Sequence, residues 1–250
     1  MAKKRVLLVG ESWATHMMEI KGCDYFSIGG YGEGKEYLYD ILDGTYEVDY
    51  LPAQKVPASF PTELNALTAY DAIILSDIGA NSFLLNPRTF FEFKPSPNRL
   101  NLIAEYVKEG GSLCMVGGYM SFMGIEGKAF YKDTVIEDVL PVNLLGRDDR
   151  VELPEGIIIH ADPASHPILN GLPEEWPHLF GYNRLIAKED STVLASTGKD
   201  PIIVIGTYGK GRSLAYATDC APHWAPPEFC ESDCYVRLWQ NIAGWLVREL

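Results

Sequence analysis

The chain has 250 residues, 47% of them hydrophobic and 22% charged. That is the composition of a globular protein with a sizeable core, and it excludes disorder, collagen and coiled coil as the main architecture. Thirty-four acidic against 21 basic residues give a formal charge of −13. Such a surface repels phosphate backbones and anionic bilayers, so no nucleic acid and no membrane is expected as a partner.

The first apolar run, Val6 to Val9, stops at Gly10-Glu11-Ser12. It is shorter than the roughly 7–15 residues of a signal-peptide core and reads as a buried parallel strand. Gly29 to Gly34 carries four glycines, but it follows no strong strand and lacks the Lys-Ser/Thr of a phosphate loop, so it is expected to be a loop over a crevice. Lys35 to Leu42 reads as a helix, Tyr46 to Leu51 as a strand, and Thr62 to Ala69 as a short helix capped by Thr62. Tyr70 to Asp77 is a clear strand, followed by the loop Ile78-Gly79-Ala80-Asn81-Ser82. Asn98 to Glu109 has helical apolar spacing and ends at Gly110-Gly111, a C-cap signal. Ser112 to Val116 is the next strand and runs into Gly117-Gly118-Tyr119.

This alternation predicts an α/β fold with a parallel sheet and helices on both faces. Ligands of such sheets bind at the carboxyl ends of the strands. The loops beginning at Glu11, Asp77 and Gly117 are therefore the ones to watch. Residues beyond 150 read as β-rich: Val151–Leu153, Ile157–Ile159, Thr192–Ala195, Pro201–Ile205 and Ser213–Ala217, then a final helix from Tyr235. No linker, repeat or low-complexity segment divides the chain. One domain with a β-rich elaboration over residues 151–212 is the simplest account. Five cysteines, an odd number, fit free thiols in a reducing cytoplasm.

Three stretches carry a resemblance: Gly110-Gly-Ser-Leu-Cys-Met-Val-Gly-Gly-Tyr-Met-Ser-Phe122, Tyr208-Gly-Lys-Gly-Arg-Ser-Leu-Ala-Tyr-Ala-Thr-Asp219 with Pro222-His223-Trp224, and His166-Pro-Ile-Leu-Asn-Gly-Leu-Pro173. In this order they resemble the class I glutamine amidotransferase-like superfamily, and within it a bacterial family of glutamine amidotransferase-like proteins. The resemblance implies a flavodoxin-like sheet. It also implies a cysteine nucleophile on a strand-to-helix elbow, where the sulfur is exposed and the helix N-terminus lowers its pKa. Here glycine stands at that elbow, Gly117-Gly118. Cys114 lies inside the preceding strand, where a thiol is expected to be buried and inert. No His-x-Glu pair stands near the end of the chain; Asp219 and His223 are the nearest candidates.

Asp219 and His223 follow the last strand. As a functional pair they form an acid–base or ligand-anchoring couple; otherwise Asp219 caps a turn and His223 packs on Trp224. Glu11 with Ser12, Asp77 with Gly79, and Gly117, Gly118 and Tyr119 are candidate ligand contacts at strand ends, as is Trp224. Glu11 would meet an amine or hydroxyl. The Gly117 and Gly118 N–H groups would meet an anion, unless the glycines only permit a tight turn. Cys220, His223, Cys230 and Cys234 form a C-x2-H-x6-C-x3-C cluster that could hold zinc, although the spacing is not a standard one; the other reading is free thiols, with no cofactor. Phe90, Phe91 and Phe93 fit a pocket seal, a subunit interface or the domain's own core equally well.

The expectation is a cytoplasmic amidotransferase-like protein without the thiol nucleophile, binding a small polar ligand or serving as a homo-oligomeric scaffold. The alternatives are a hydrolase or amidotransferase using Asp219 and His223 with Glu11, and a zinc protein.

Overall fold

The computed structural model describes residues 3–250. In chain order its first elements are β1 (Arg5–Gly10), β2 (Ser12–Lys21), β3 (Asp24–Glu33), α1 (Glu36–Leu42) and β4 (Glu47–Pro52). Short helical turns α2 (Val56–Ser59) and α3 (Leu64–Leu67) lead to β5 (Ala72–Ser76). Then come α4 (Asn81–Leu84), α5 (Pro87–Phe90), α6 (Arg99–Glu109), β6 (Ser112–Val116), α7 (Val135–Val139) and β7 (Val142–Asn143). The later part is β8 (Arg150–Ile157), β9 (His160–Ala161), β10 (Leu179–Asn183), β11 (Ile186–Ala187), β12 (Thr192–Thr197), β13 (Asp200–Tyr208) and β14 (Gly211–Tyr216). Helices α8 (Pro227–Cys230) and α9 (Asp233–Leu246) close it.

Eight strands form one sheet in the order β4-β1-β5-β6-β14-β13-β12-β9. The first five run parallel. Numbered among themselves their order is 2-1-3-4-5, the flavodoxin-like arrangement, whose ligand crevice lies between the first and third strands. The fold is α/β, as the alternation predicts. β13, β12 and β9 continue the same sheet antiparallel. The β-rich half is thus largely an extension of the central sheet, with β8 and β10 forming one separate ribbon and β11 pairing with β7 in another.

Both faces of the parallel strands are buried, which is why Val6–Val9, Ala72–Leu75 and Leu113–Val116 read as unbroken apolar runs. Helix α6 starts where Asn98 accepts hydrogen bonds from the Leu100 and Asn101 N–H groups and stops at Gly110, φ +126°. Arg99, at its start, is fully buried and donates to the carbonyls of Phe83, Val56 and Pro57. This one side chain ties α2 and α4 to α6.

Two expectations need correction. The Thr62 cap is absent: α3 begins after Glu63, with no side-chain cap. Gly29 to Gly34 is not a loop. Its residues up to Glu33 belong to β3, which pairs with β2 over ten residue pairs in an antiparallel hairpin. The hairpin was illegible because its glycines break strand propensity and because both of its faces are apolar, which erases the usual alternation. Phe90, Phe91 and Phe93 are 51%, 80% and 88% exposed, so they do not pack into the domain's own core.

Candidate functional site

β1 and β5 end side by side at the point where strand order reverses. Gly10, φ +106°, closes β1, and a Cβ there would fall 1.9 Å from the Ser76 carbonyl oxygen. Only glycine lets the two strand ends approach so closely. The next residue on each strand, Glu11 (φ +45°) and Asp77 (φ +44°), has left-handed backbone. Non-glycine residues adopt this rarely, and such strain clusters at functional sites. The Glu11 turn is held because its N–H donates to Ser76 O (2.8 Å) and its carbonyl accepts from Gly34 N (3.1 Å) and from the Tyr50 hydroxyl (3.2 Å). The turn aims both carboxylates into a crevice of about 610 Å³ lined also by Asp219, His223 and Tyr119.

The Glu11 side chain is 4% exposed. Its Oε2 accepts from the Ser76 hydroxyl at 2.5 Å, and the Cys220 thiol lies 3.6 Å away. Burial, then the neighbouring Asp219 and Asp77 carboxylates, push its pKa well above the ordinary glutamate value. Asp77 is pushed up to about 6, first by burial and then by Asp219. Its Oδ1 accepts from Met120 N at 2.6 Å. Among the described residues no lysine or arginine forms a salt bridge with Glu11, Asp77 or Asp219; the Asp219 partner is His223, Nδ1 to Oδ2 at 3.3 Å. Burial pulls the His223 pKa down, but the hydrogen bond and charge of Asp219 outweigh it, and the net shift is upward.

The His223 ring stacks on Trp224 (centroids 5.1 Å, 27°) and meets the edge of Tyr119 (4.1 Å, 76°). Trp224 is itself buried, with its indole N–H on Glu152 (3.0 Å). It therefore supports the histidine from behind rather than lining the crevice. The loop carrying Tyr119 and Met120 is fixed by two buried groups. Asp149 accepts from the N–H groups of Met123 and Gly124, both at 2.9 Å, and from Asn183 Nδ2 at 2.8 Å. Asn183 Oδ1 in turn accepts from Gly118 N at 3.0 Å.

Glu11, Asp77, Tyr119, Asp219 and His223 are thus brought together, as sequence position suggested. Ser12 points elsewhere: its hydroxyl bonds Gln54 and the Ala53 N–H, both at 2.8 Å. Gly79 packs against Met120 and Ala129. The N–H groups of Gly117 and Gly118 do not await an anion. The first donates to Tyr216 O and Thr218 O, the second to Asn183. A Cβ at Gly117 would lie 2.3 Å from Ala217 O, and one at Gly118 (φ +146°) 2.7 Å from Asp77 Oδ1. Both glycines are required by close packing.

Cys220, His223, Cys230 and Cys234 do not converge. Cys230 donates to the Ala225 carbonyl, and His223 is engaged with Asp219. The group of possible metal donors that does converge, with ligand atoms within 4.8 Å of one another, is Glu11, Asp219 and Cys220. Cys220 is fully buried, and burial, then Glu11 and Asp219, raise its pKa well above the ordinary thiol value. Burial likewise raises Cys114, Cys230 (about 12) and Cys234 (about 11). Trp13, Glu33, Gly34 and Tyr37 also line the crevice. Trp13 lies in the segment after β1 that was expected to matter and Glu33 and Gly34 in the stretch expected over the crevice, whereas Tyr37, on α1, was missed. Ser76 and Cys220 were missed as partners of Glu11 because nothing in their spacing links positions 11, 76 and 220.

The fold is that of the class I amidotransferase-like proteins. Residues 5–248 match the model of the family described as "Putative glutamine amidotransferase", and the chain belongs to that family. It is 49% identical to the cytoplasmic protein STM1381 from Salmonella typhimurium LT2, with a TM-score of 0.93 over 97% of this chain and 99% of that one. It is 45% identical to the cytoplasmic protein STM3548 from Salmonella typhimurium, with a TM-score of 0.93 over 98% of each. A ThuA-like protein from Bacteroides uniformis shares the fold at 12% identity and a TM-score of 0.57, over 97% of this chain and 91% of that one. No curated protein matches the chain. No helix among the described residues is long and apolar enough to cross a membrane.

Proposed function

We propose that the chain is a cytoplasmic protein that binds a small polar ligand, bearing an amine or hydroxyl groups, in the crevice at the ends of β1 and β5, and that it does not hydrolyse glutamine through a thiolate. One observation carries this reading: Glu11, Asp77 and Asp219 converge with the His223 imidazole on one cavity, and among the described residues no lysine or arginine forms a salt bridge with these three, while the fourth carboxylate of the lining, Glu33, is paired with Lys35. Burying unpaired acids costs stability, and a ligand that donates hydrogen bonds or brings positive charge recovers it. Trp13, Tyr37 and Tyr119 add apolar walls, the usual composition of a small-molecule site. Against thiolate chemistry stand the glycine elbow and the raised pKa values of all four buried cysteines.

The Asp219–His223 contact also favours a second reading, an acid–base hydrolase in which Asp219 orients the imidazole and Glu11 supplies a protonated carboxyl. A thermal-shift screen with amines, amino acids and polyols, run on wild type and Glu11→Gln, tests the first reading. A ligand that raises the melting point of wild type but not of the variant is expected; no hit, or equal shifts in both, rejects the crevice as the site. Turnover lost in His223→Ala, with ligand affinity kept, would establish the second reading. Ammonia release from glutamine by the wild type that a thiol alkylating agent abolishes would refute the claim about thiolate chemistry.

A further inference from the structure

The hairpin β2–β3 stands apart from the body. Its two strands pair only with each other, and an isolated two-stranded ribbon is marginal in water. The cross-strand register places Trp13, Met17, Phe26 and Ile28 on one face and Met18, Ile20, Tyr25 and Tyr31 on the other. All eight are exposed, by 43–71%. At roughly 200 Å² per large side chain, they leave on the order of 900 Å² of apolar surface on one arm. A monomer's largest patch is about 300–600 Å². A stable interface takes about 800 Å² from each partner.

We propose that this arm is a self-association element whose two faces are covered by a second copy of the chain. The area matches what a stable dimer needs. Charge points the same way. Each copy carries −13, so two bodies repel, yet residues 12–18 and 25–32 contain no Asp, Glu, Lys or Arg. The arm is where two acidic chains can meet without opposing their charges. Its outer strand edges are also unpaired, and only Glu19, Lys21 and Asp24 near the tip blunt them. The same acidity disfavours an anionic bilayer as the alternative cover.

Sedimentation velocity across the micromolar range tests the proposal on the full chain. Met17 and Ile28 face each other across the ribbon. Met17→Lys with Ile28→Glu therefore places opposite charges in register, which preserves the hairpin while making its face polar. Ile20→Lys with Tyr25→Glu does the same on the other face. Wild type is expected to sediment as a dimer or larger. Each double variant is expected to fall at least twofold in mass with an unchanged far-UV spectrum. Phe91→Lys with Phe93→Lys, on the other exposed aromatic patch, should keep the wild-type mass. A monomeric wild type, double variants that stay associated, or dissociation only in the phenylalanine variant would overturn the proposal. So would co-sedimentation of the wild type with phosphatidylcholine or phosphatidylserine vesicles, which would give the arm to lipid.

Discussion

Replacing Asp77 by asparagine should make the protein more stable, and more so as pH rises. Folding moves the Asp77 pKa from the ordinary 3.8 to about 6. Between those values the folded state holds a proton that the unfolded state has released, so stability falls as pH rises through the window. Above the folded value the full cost is present. At about 1.4 kcal/mol per tenfold change in proton affinity it reaches ~3 kcal/mol near pH 8, against ~0.5 kcal/mol near pH 4. Asparagine keeps the oxygen that accepts from Met120 N and carries no charge. The gain is a ceiling, because the amide adds two N–H donors the acid lacks. For a chain of this size it corresponds to a rise in melting temperature of roughly 6–12 °C near pH 8 and roughly 1–2 °C near pH 4. Scanning calorimetry of both proteins at the two pH values reads this directly. An equal gap at both, or a less stable variant near pH 8, would refute the idea that the partly buried Asp77 charge is under-compensated by Met120 N and His223. On the proposed reading, in which the crevice sets stability against binding, the variant should also lose ligand affinity.

Other outcomes follow from the same geometry. Cys23 is the one exposed cysteine; a native thiol titration with an aromatic disulfide should find one fast group per chain, and five in denaturant. The His223 imidazole should titrate above its ordinary 6.5, because Asp219 stabilises the charged form; that contribution is complete below 6.5 and is lost as pH rises through the folded value. In Asp219→Asn the NMR midpoint should drop, and an unchanged midpoint would exclude the contact. Arg99→Met leaves three backbone carbonyls without their donor and should cost about 3 kcal/mol or more in urea unfolding. Gly10→Ala, with its Cβ against the Ser76 carbonyl, should be at least as damaging and should abolish ligand binding.

The parallel core was legible because a strand buried on both faces leaves an uninterrupted apolar run, and Val6–Val9, Ala72–Leu75 and Leu113–Val116 are such runs. Positions directly after strands were legible for the same reason: topology alone puts Glu11, Asp77 and Asp219 at one edge. What the chain hides is whatever depends on direction rather than position. Ser12 follows Glu11 by one residue yet turns to Gln54, while Trp13, two residues on, lines the crevice. The hairpin hides because an arm that is apolar on both faces and rich in glycine has no period to detect. The zinc alternative rested on spacing, which counts residues and not geometry: Cys220 faces Glu11, while Cys230 bonds the Ala225 carbonyl.

The crowding at Gly117 and Gly118 bears on what this scaffold can become. An engineer wishing to install a glutaminase nucleophile would begin with cysteine at the elbow. At 117 the new Cβ meets the carbonyl oxygen of Ala217, a backbone atom that cannot swing aside. At 118 it meets Asp77, and the backbone there has a φ that side chains seldom tolerate. Access to thiol chemistry therefore lies several coordinated changes away, through states that no longer hold the crevice together. Redesign is better directed at the walls contributed by Trp13, Tyr37 and Tyr119, where a change of specificity leaves the acid cluster and the strand ends intact.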